Sequence, residues 1–228
     1  MFFWDYTIFL LIPPMILALY AQQKVKGTFH KYSQVAARSR ISGSQVARDI
    51  LNTKGASDVK VEETSGRLSD HYDPRKKALR LSQEVYNSHS LAALGVAAHE
   101  AGHALQHHSR YLPLHFRNFI YPVAGFGSRL AFPIFIAGFF FQREGPSFLM
   151  DLGILLFTAA VAFSILTLPV EFNASRRALV LLRDGRYLSG EELQGARRVL
   201  SAAALTYVAS TAMAAMQLVR MLILRDRR

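Results

Sequence analysis

His99, Glu100 and His103 stand in the order HEAGH. Residues four apart on an α-helix share a face, so the two imidazoles can present nitrogen atoms to one metal ion about a turn apart. Glu100, beside the first imidazole, is badly placed to ligate that ion. It is well placed to hold a water on the ion and take up its proton, the part of a general base. Zn2+ suits such donors and also polarises a carbonyl, so the pattern points to hydrolysis of an amide bond. The segment is Ala-rich and apolar, and burying an acid and two imidazoles there is costly unless a metal or hydrogen bonds compensate them.

A catalytic zinc site of this kind takes a third protein ligand. The continuation HExxHxxGxxH fails, because Gln106 stands at its glycine position and Ser109 at its last histidine. The chain has no cysteine, which excludes thiolate ligands, disulfides, iron-sulfur clusters and cysteine nucleophiles. An acid from a later helix is the remaining choice: Glu144, Glu171, Glu191 or Glu192, with Asp151 and Asp184 as outsiders. Glu171 is best placed, just after an apolar run and Pro169, at the start of an expected helix on the side of the HEAGH segment. Donors for a developing oxyanion could come from His71, Tyr72, Arg176, Arg177 or Tyr207. His107 and His108 read as cations complementing the end of a helix.

The surrounding segments must hold these residues in or at a membrane. Half the residues are hydrophobic, yet 27 Lys and Arg face 16 Asp and Glu, so oily and basic stretches alternate. The cations flank apolar runs instead of gathering in one stripe, which suits the positive-inside rule and anionic headgroups and argues against nucleic acid. Residues 1–20 read as an uncleaved transmembrane helix with Trp4, Tyr6 and Tyr20 as interfacial anchors, broken only by Asp5 and kinked or split at Pro13-Pro14. Residues 21–117, with a net charge of +7 from Lys, Arg, Asp and Glu, read as a folded lobe. In it a helix over Ser44–Leu51 is capped by Ser42 or Ser44 and ends near Gly55. Two short strands, at Val59–Val61 and Leu79–Leu81, are joined by the loop SGRLSDHYDPRKK. The HEAGH helix runs from about Ser90 to His108. Residues 118–141 and 148–170 are long enough to span hydrocarbon, joined by the short loop QREGPS, which has no net charge. Residues 171–199 form a basic segment holding the third ligand. Residues 200–224 are a further hydrophobic helix that spans or packs on the lobe, interrupted by Arg220 and followed by Arg225 to Arg228.

The strings DHYDP (70–74), LRLS (79–82), VAAHEAGHALQ (96–106), PVEFNASR (169–176) and AAALTYVAS (202–210) resemble the YugP-like neutral zinc metallopeptidase family, over nearly the whole chain. That family is similar in turn to the HtpX-type and prenyl-protein membrane proteases. The resemblance implies Zn2+ on His99, His103 and Glu171 with Glu100 as base, the assignment spacing and topology also favour. HtpX-type proteases read EFxAD where this chain has Ser175, and that acid orients a zinc histidine. Ser175 then does a weaker version of the task, or Asp70 or Asp73 takes it. The same resemblance suggests that Leu79–Ser82 is an edge strand on which an extended peptide pairs.

These readings combine into a mainly α integral membrane protein with a small α+β zincin-like cytoplasmic lobe and three to four transmembrane helices. It is expected to sit in the cell's inner (plasma) membrane with the active site facing the cytoplasm. Its expected activity is that of a zinc-dependent endopeptidase acting on a peptide or protein substrate. The alternative is a catalytically inactive, zinc-stabilised scaffold or adaptor in which Ser175 marks decay of the site. The sequence leaves the oligomeric state open.

Overall fold

The computed structural model describes residues 6–66, 68–141 and 148–227. Trp4, Asp5, Arg67, Glu144, Arg228 and the QREGPS loop at 142–147 lie outside those residues. A 3-10 segment, Tyr6–Leu11, leads into α1 (Ile12–Ser33). There follow α2 (Gly43–Thr53), β1 (Lys60–Thr64), β2 (His71–Asp73), β3 (Ala78–Ser82), α3 (Gln83–Tyr86), α4 (Leu91–His108), α5 (Leu112–Phe141), α6 (Phe148–Asp184) and α7 (Gly190–Asp226). Four helical stretches among the described residues are long and apolar enough to cross a membrane: Tyr6–Ser33, Leu112–Phe141, Phe148–Asp184 and Gly190–Asp226. The chain is therefore a mainly helical membrane protein with a small mixed sheet.

Two compact units divide it. The first comprises Met1–Gln22, His115–Pro169 and Leu205–Arg228. Pro13 and Pro14 fall in the first turn of α1, where backbone N–H groups lack helical acceptors, so they begin the α-helix after the 3-10 segment. Small residues let α5 and α6 approach closely: a Cβ on Gly127 would meet the Leu156 carbonyl at 2.8 Å, and one on Gly153 the Ala131 carbonyl at 2.7 Å. Alongside α6, Thr211 donates to the Ser164 carbonyl at 3.3 Å, and Arg225 Nε lies 2.7 Å from Asp151 Oδ1. The guanidinium of Arg227 sits 3.9 Å from the centre of the Tyr6 ring. So α7 runs antiparallel to α6 along this unit, and its terminal arginines meet an acid and an aromatic ring. Phe119, Phe126, Phe141 and Leu155 stay exposed, an apolar surface that suits hydrocarbon and not water.

The second unit comprises Gln23–Leu114 and Val170–Ala204. Ser42 caps α2, and Gln45 returns a side-chain bond to the Ser42 backbone, a capping box. That orients Val46, Ala47, Ile50 and Leu51 into the core. Ser90 caps α4 by accepting from the Ala93 N–H at 3.2 Å, which starts the HEAGH helix where the sequence reading places it. In the sheet the order is β1-β3-β2. β1 runs parallel to β3, with Lys60 opposite Ala78, and β2 runs antiparallel, with Tyr72 opposite Leu79.

This order overturns two expectations. His71–Asp73, inside the expected loop, is a strand, and Leu79–Ser82 is part of the central strand instead of an edge. The physical reason lies in β3 itself. Ala78, Leu79, Leu81 and Ser82 are all buried, and a strand covered on both faces needs ladder partners on both edges to satisfy its backbone. A third expectation fails at Pro169. No new helix begins at Glu171, because α6 runs on through the proline to Asp184, as apolar helices allow where other groups take up the freed carbonyl.

Candidate metal centre and active site

α4 and the lobe part of α6 build the site. Three contacts give their direction: Ser175 with His99, Ala174 with Gly102, and Val170 with Gln106. Residue numbers fall on α6 as they rise on α4, so the helices are antiparallel. Gly102 sets their separation. A Cβ there would stand 2.9 Å from the Ala174 carbonyl oxygen and 3.4 Å from Ala174 Cα, so only glycine allows this approach. The approach carries Glu171 to the two histidines.

His99 Nε2 and His103 Nε2 are 3.1 Å apart. Glu171 Oε2 lies 3.3 Å from the first and 3.4 Å from the second. Among the described residues these three form a group able to hold a metal ion. Donors about 2.0–2.1 Å from zinc in a tetrahedron are separated by about 3.3–3.4 Å. The observed triangle matches that edge length, so the residues fit the ion. The side chains are 14%, 15% and 5% exposed, which leaves the imidazoles reachable and the carboxylate enclosed. Glu100, 9% exposed, is close enough to act on His103 by its charge.

Burial by itself would push the His103 pKa down. The hydrogen bond to Glu171 and the charges of Glu100 and Glu171 outweigh it, and the imidazole is held above its ordinary value. The outward nitrogens are also engaged. His99 Nδ1 is 3.1 Å from Ser175 Oγ, and His103 Nδ1 is 3.0 Å from Gln106 Oε1. Of the two options for orienting a zinc histidine, Ser175 is the one in contact.

Asp70 and Asp73 are occupied elsewhere. Asp70 accepts from the Ser82 N–H at 2.8 Å and from its hydroxyl. Burial raises the Asp70 pKa against those bonds. Asp73 accepts from the N–H groups of Arg75 and Lys76 and lies 3.5 Å from Arg80. Other acids considered as ligands have partners too: Glu192 accepts from the Arg38 N–H, Asp151 meets Arg225, and Asp184 pairs with Arg183.

The oxyanion candidates scatter. His71 is exposed and bonds to the Ser69 carbonyl. Arg176 is exposed and lines a 410 Å³ cavity with Lys54, His108 and Arg177. Tyr207 belongs to the first unit. Tyr72, on the edge strand β2, lies 2.9 Å from His107 Nδ1, one turn beyond His103 on α4. Burial, with the charges of Asp58 and Asp73, pushes its pKa up to about 12, so its hydroxyl stays protonated. His107, expected as a mere helix cap, is thus tied to the sheet. Gln106 and Asn173 were missed by sequence reasoning. Gln106 entered only as a mismatch to another ligand pattern, and nothing local marks a buried amide as a site residue.

The family model described as "putative neutral zinc metallopeptidase" matches residues 7–226. The chain belongs to that family. A curated relative from Bacillus subtilis (strain 168), named "Putative membrane protease YugP", is 46% identical over 213 residues, covering 93% of this chain and 93% of its own. No solved structure matches. Membership of a zinc metallopeptidase family accords with a metal-fitted triangle of two imidazoles and a carboxylate in a membrane protein.

Proposed function

We propose that the protein is a membrane-bound, zinc-dependent endopeptidase whose metal is held by His99, His103 and Glu171. The observation that carries this reading is the donor triangle, whose edges match those around a tetrahedral zinc ion. Bound there, Zn2+ would polarise a scissile carbonyl and acidify water. Glu100, adjacent to His99 and largely buried, takes the proton from the attacking water and passes it to the leaving amine. Ser175 and Gln106 hold the two rings in place. An extended peptide pairs with β2, the edge strand whose Tyr72 reaches α4. The basic lobe segments favour a plasma-membrane protein with this site on the cytoplasmic side.

The scaffold alternative rested on Ser175 as a sign of decay, and Ser175 hydrogen-bonds to a candidate ligand. The deciding experiment uses full-length protein in detergent. Wild type should bind one zinc per chain and cleave an unstructured protein substrate, with Glu100→Gln retaining the metal and losing cleavage. Wild type that holds zinc yet cleaves no better than Glu100→Gln across a broad peptide library would favour the scaffold.

A further inference from the structure

Gln106 is wholly buried beside the donor triangle, and its surroundings fix which way its amide faces. Arg177 Nε can only donate, and it donates to Asn173 Oδ1 at 2.8 Å. Gln106 Nε2 donates to the same oxygen at 3.0 Å and to the Val170 carbonyl at 2.8 Å. Both partners are acceptors, so the amide nitrogen belongs on that side and Oε1 is turned to His103. An amide oxygen only accepts. The 3.0 Å contact with His103 Nδ1 therefore requires the hydrogen on that nitrogen. In the neutral ring the lone pair then sits on Nε2, the atom that faces His99 and Glu171.

We propose that Gln106 is a positioning residue that fixes the tautomer and ring orientation of His103 for metal ligation, with Asn173 and Arg177 holding Gln106 in place. This rests on the metal reading of the site. The chain of assignments starts at a guanidinium, which has no acceptor, and ends at a lone pair aimed into the triangle, with no free choice between. Val170 and Asn173 flank Glu171 on α6, so one amide ties the helix of the third donor to the helix of the first two. A carboxamide also orients the ring without charge. The triangle then keeps Glu171 as its one anionic donor, with Glu100 beside it.

The test measures zinc affinity of full-length protein in detergent by competition with a chromophoric chelator, together with the visible spectrum of the cobalt(II)-loaded protein. Gln106→Leu removes the acceptor at similar volume. It should weaken zinc about 10–100-fold and alter the cobalt spectrum. Gln106→Glu keeps an acceptor for His103 while losing both donated bonds, so it should bind zinc more tightly than Gln106→Leu. If the leucine variant does not fold, Gln106→Met, which also removes the amide oxygen, takes its place. A leucine variant with wild-type zinc affinity and cobalt spectrum, or a glutamate variant that binds zinc no better than the variant lacking the amide oxygen, overturns the proposal. Because metal binding is read and not turnover, a chain that binds zinc but cleaves nothing sinks the peptidase reading and leaves this one intact. Wild type that takes up no metal sinks both.

Discussion

Ser175 Oγ lies 3.1 Å from His99 Nδ1, the ring nitrogen turned away from the donor triangle. A hydroxyl at that point can accept the Nδ1 hydrogen, which leaves Nε2 free for a metal, but it adds no charge. Ser175→Ala should weaken zinc binding by less than about tenfold, the low end for such partners. Ser175→Asp, which restores the acid of the HtpX-type pattern, should bind zinc more tightly than wild type. Chelator competition on the three proteins checks this, and an alanine variant equal to wild type would remove Ser175 from the site.

Gly102→Ala places a Cβ against the Ala174 carbonyl at 2.9 Å. Overpacking between rigid helices costs about 1–3 kcal/mol, and here relief comes by moving α6, and Glu171 with it, away from α4. The variant should melt at a lower temperature and also bind zinc more weakly. Thermal melts with and without zinc separate the effects: the stabilisation conferred by zinc should shrink. A variant with wild-type zinc stabilisation would show that the helix separation does not set the site.

The sign of the His103 shift gives a pH dependence. Its pKa in the metal-free fold is raised by Glu171 and Glu100. The stability this contributes to metal-free protein is present below the ordinary histidine value and fades as pH rises through the raised one. Zinc needs the neutral ring. Affinity should therefore climb with pH across this range, and uptake near neutrality should release protons. Calorimetric titrations in buffers of different ionisation enthalpy report that release, and buffer-independent heats at neutral pH would contradict the shift.

Because the chain contains no cysteine, single cysteines report topology without background. α7 is read as a span whose C-terminal end meets Asp151 and Tyr6. Arg227→Cys and Ser57→Cys should then react with a membrane-impermeant maleimide from opposite faces of the membrane. Labelling of both from one face would make α7 a surface helix.

The HEAGH helix was legible because its signals are local. Ser90 caps it, the apolar Ala-rich stretch continues it, and the i, i+4 histidines declare their shared face. The nearness of Glu171 to the two histidines was legible from its position: among the few acids of a cysteine-free chain, it is the one that follows an apolar run on the side of the HEAGH segment. β2 was hidden because three residues between turns carry no alternation of their own, and their pairing with β3 is a tertiary fact. The central place of β3 was hidden for a related reason: Leu79-Arg80-Leu81 alternates like a half-exposed strand, and only the sheet order shows both edges used. Pro169 misled because its cost inside a helix depends on neighbours absent from the local sequence. Gln106 was invisible because its role is defined by Asn173 and Val170, more than sixty residues away.

Anomalous diffraction at the zinc edge from crystals of the full-length protein would locate the metal itself. One peak is expected, within bonding distance of His99 Nε2, His103 Nε2 and a Glu171 carboxylate oxygen. A peak bound by other residues, or a fully zinc-loaded protein whose peak lies away from Glu171, would contradict this ligand set.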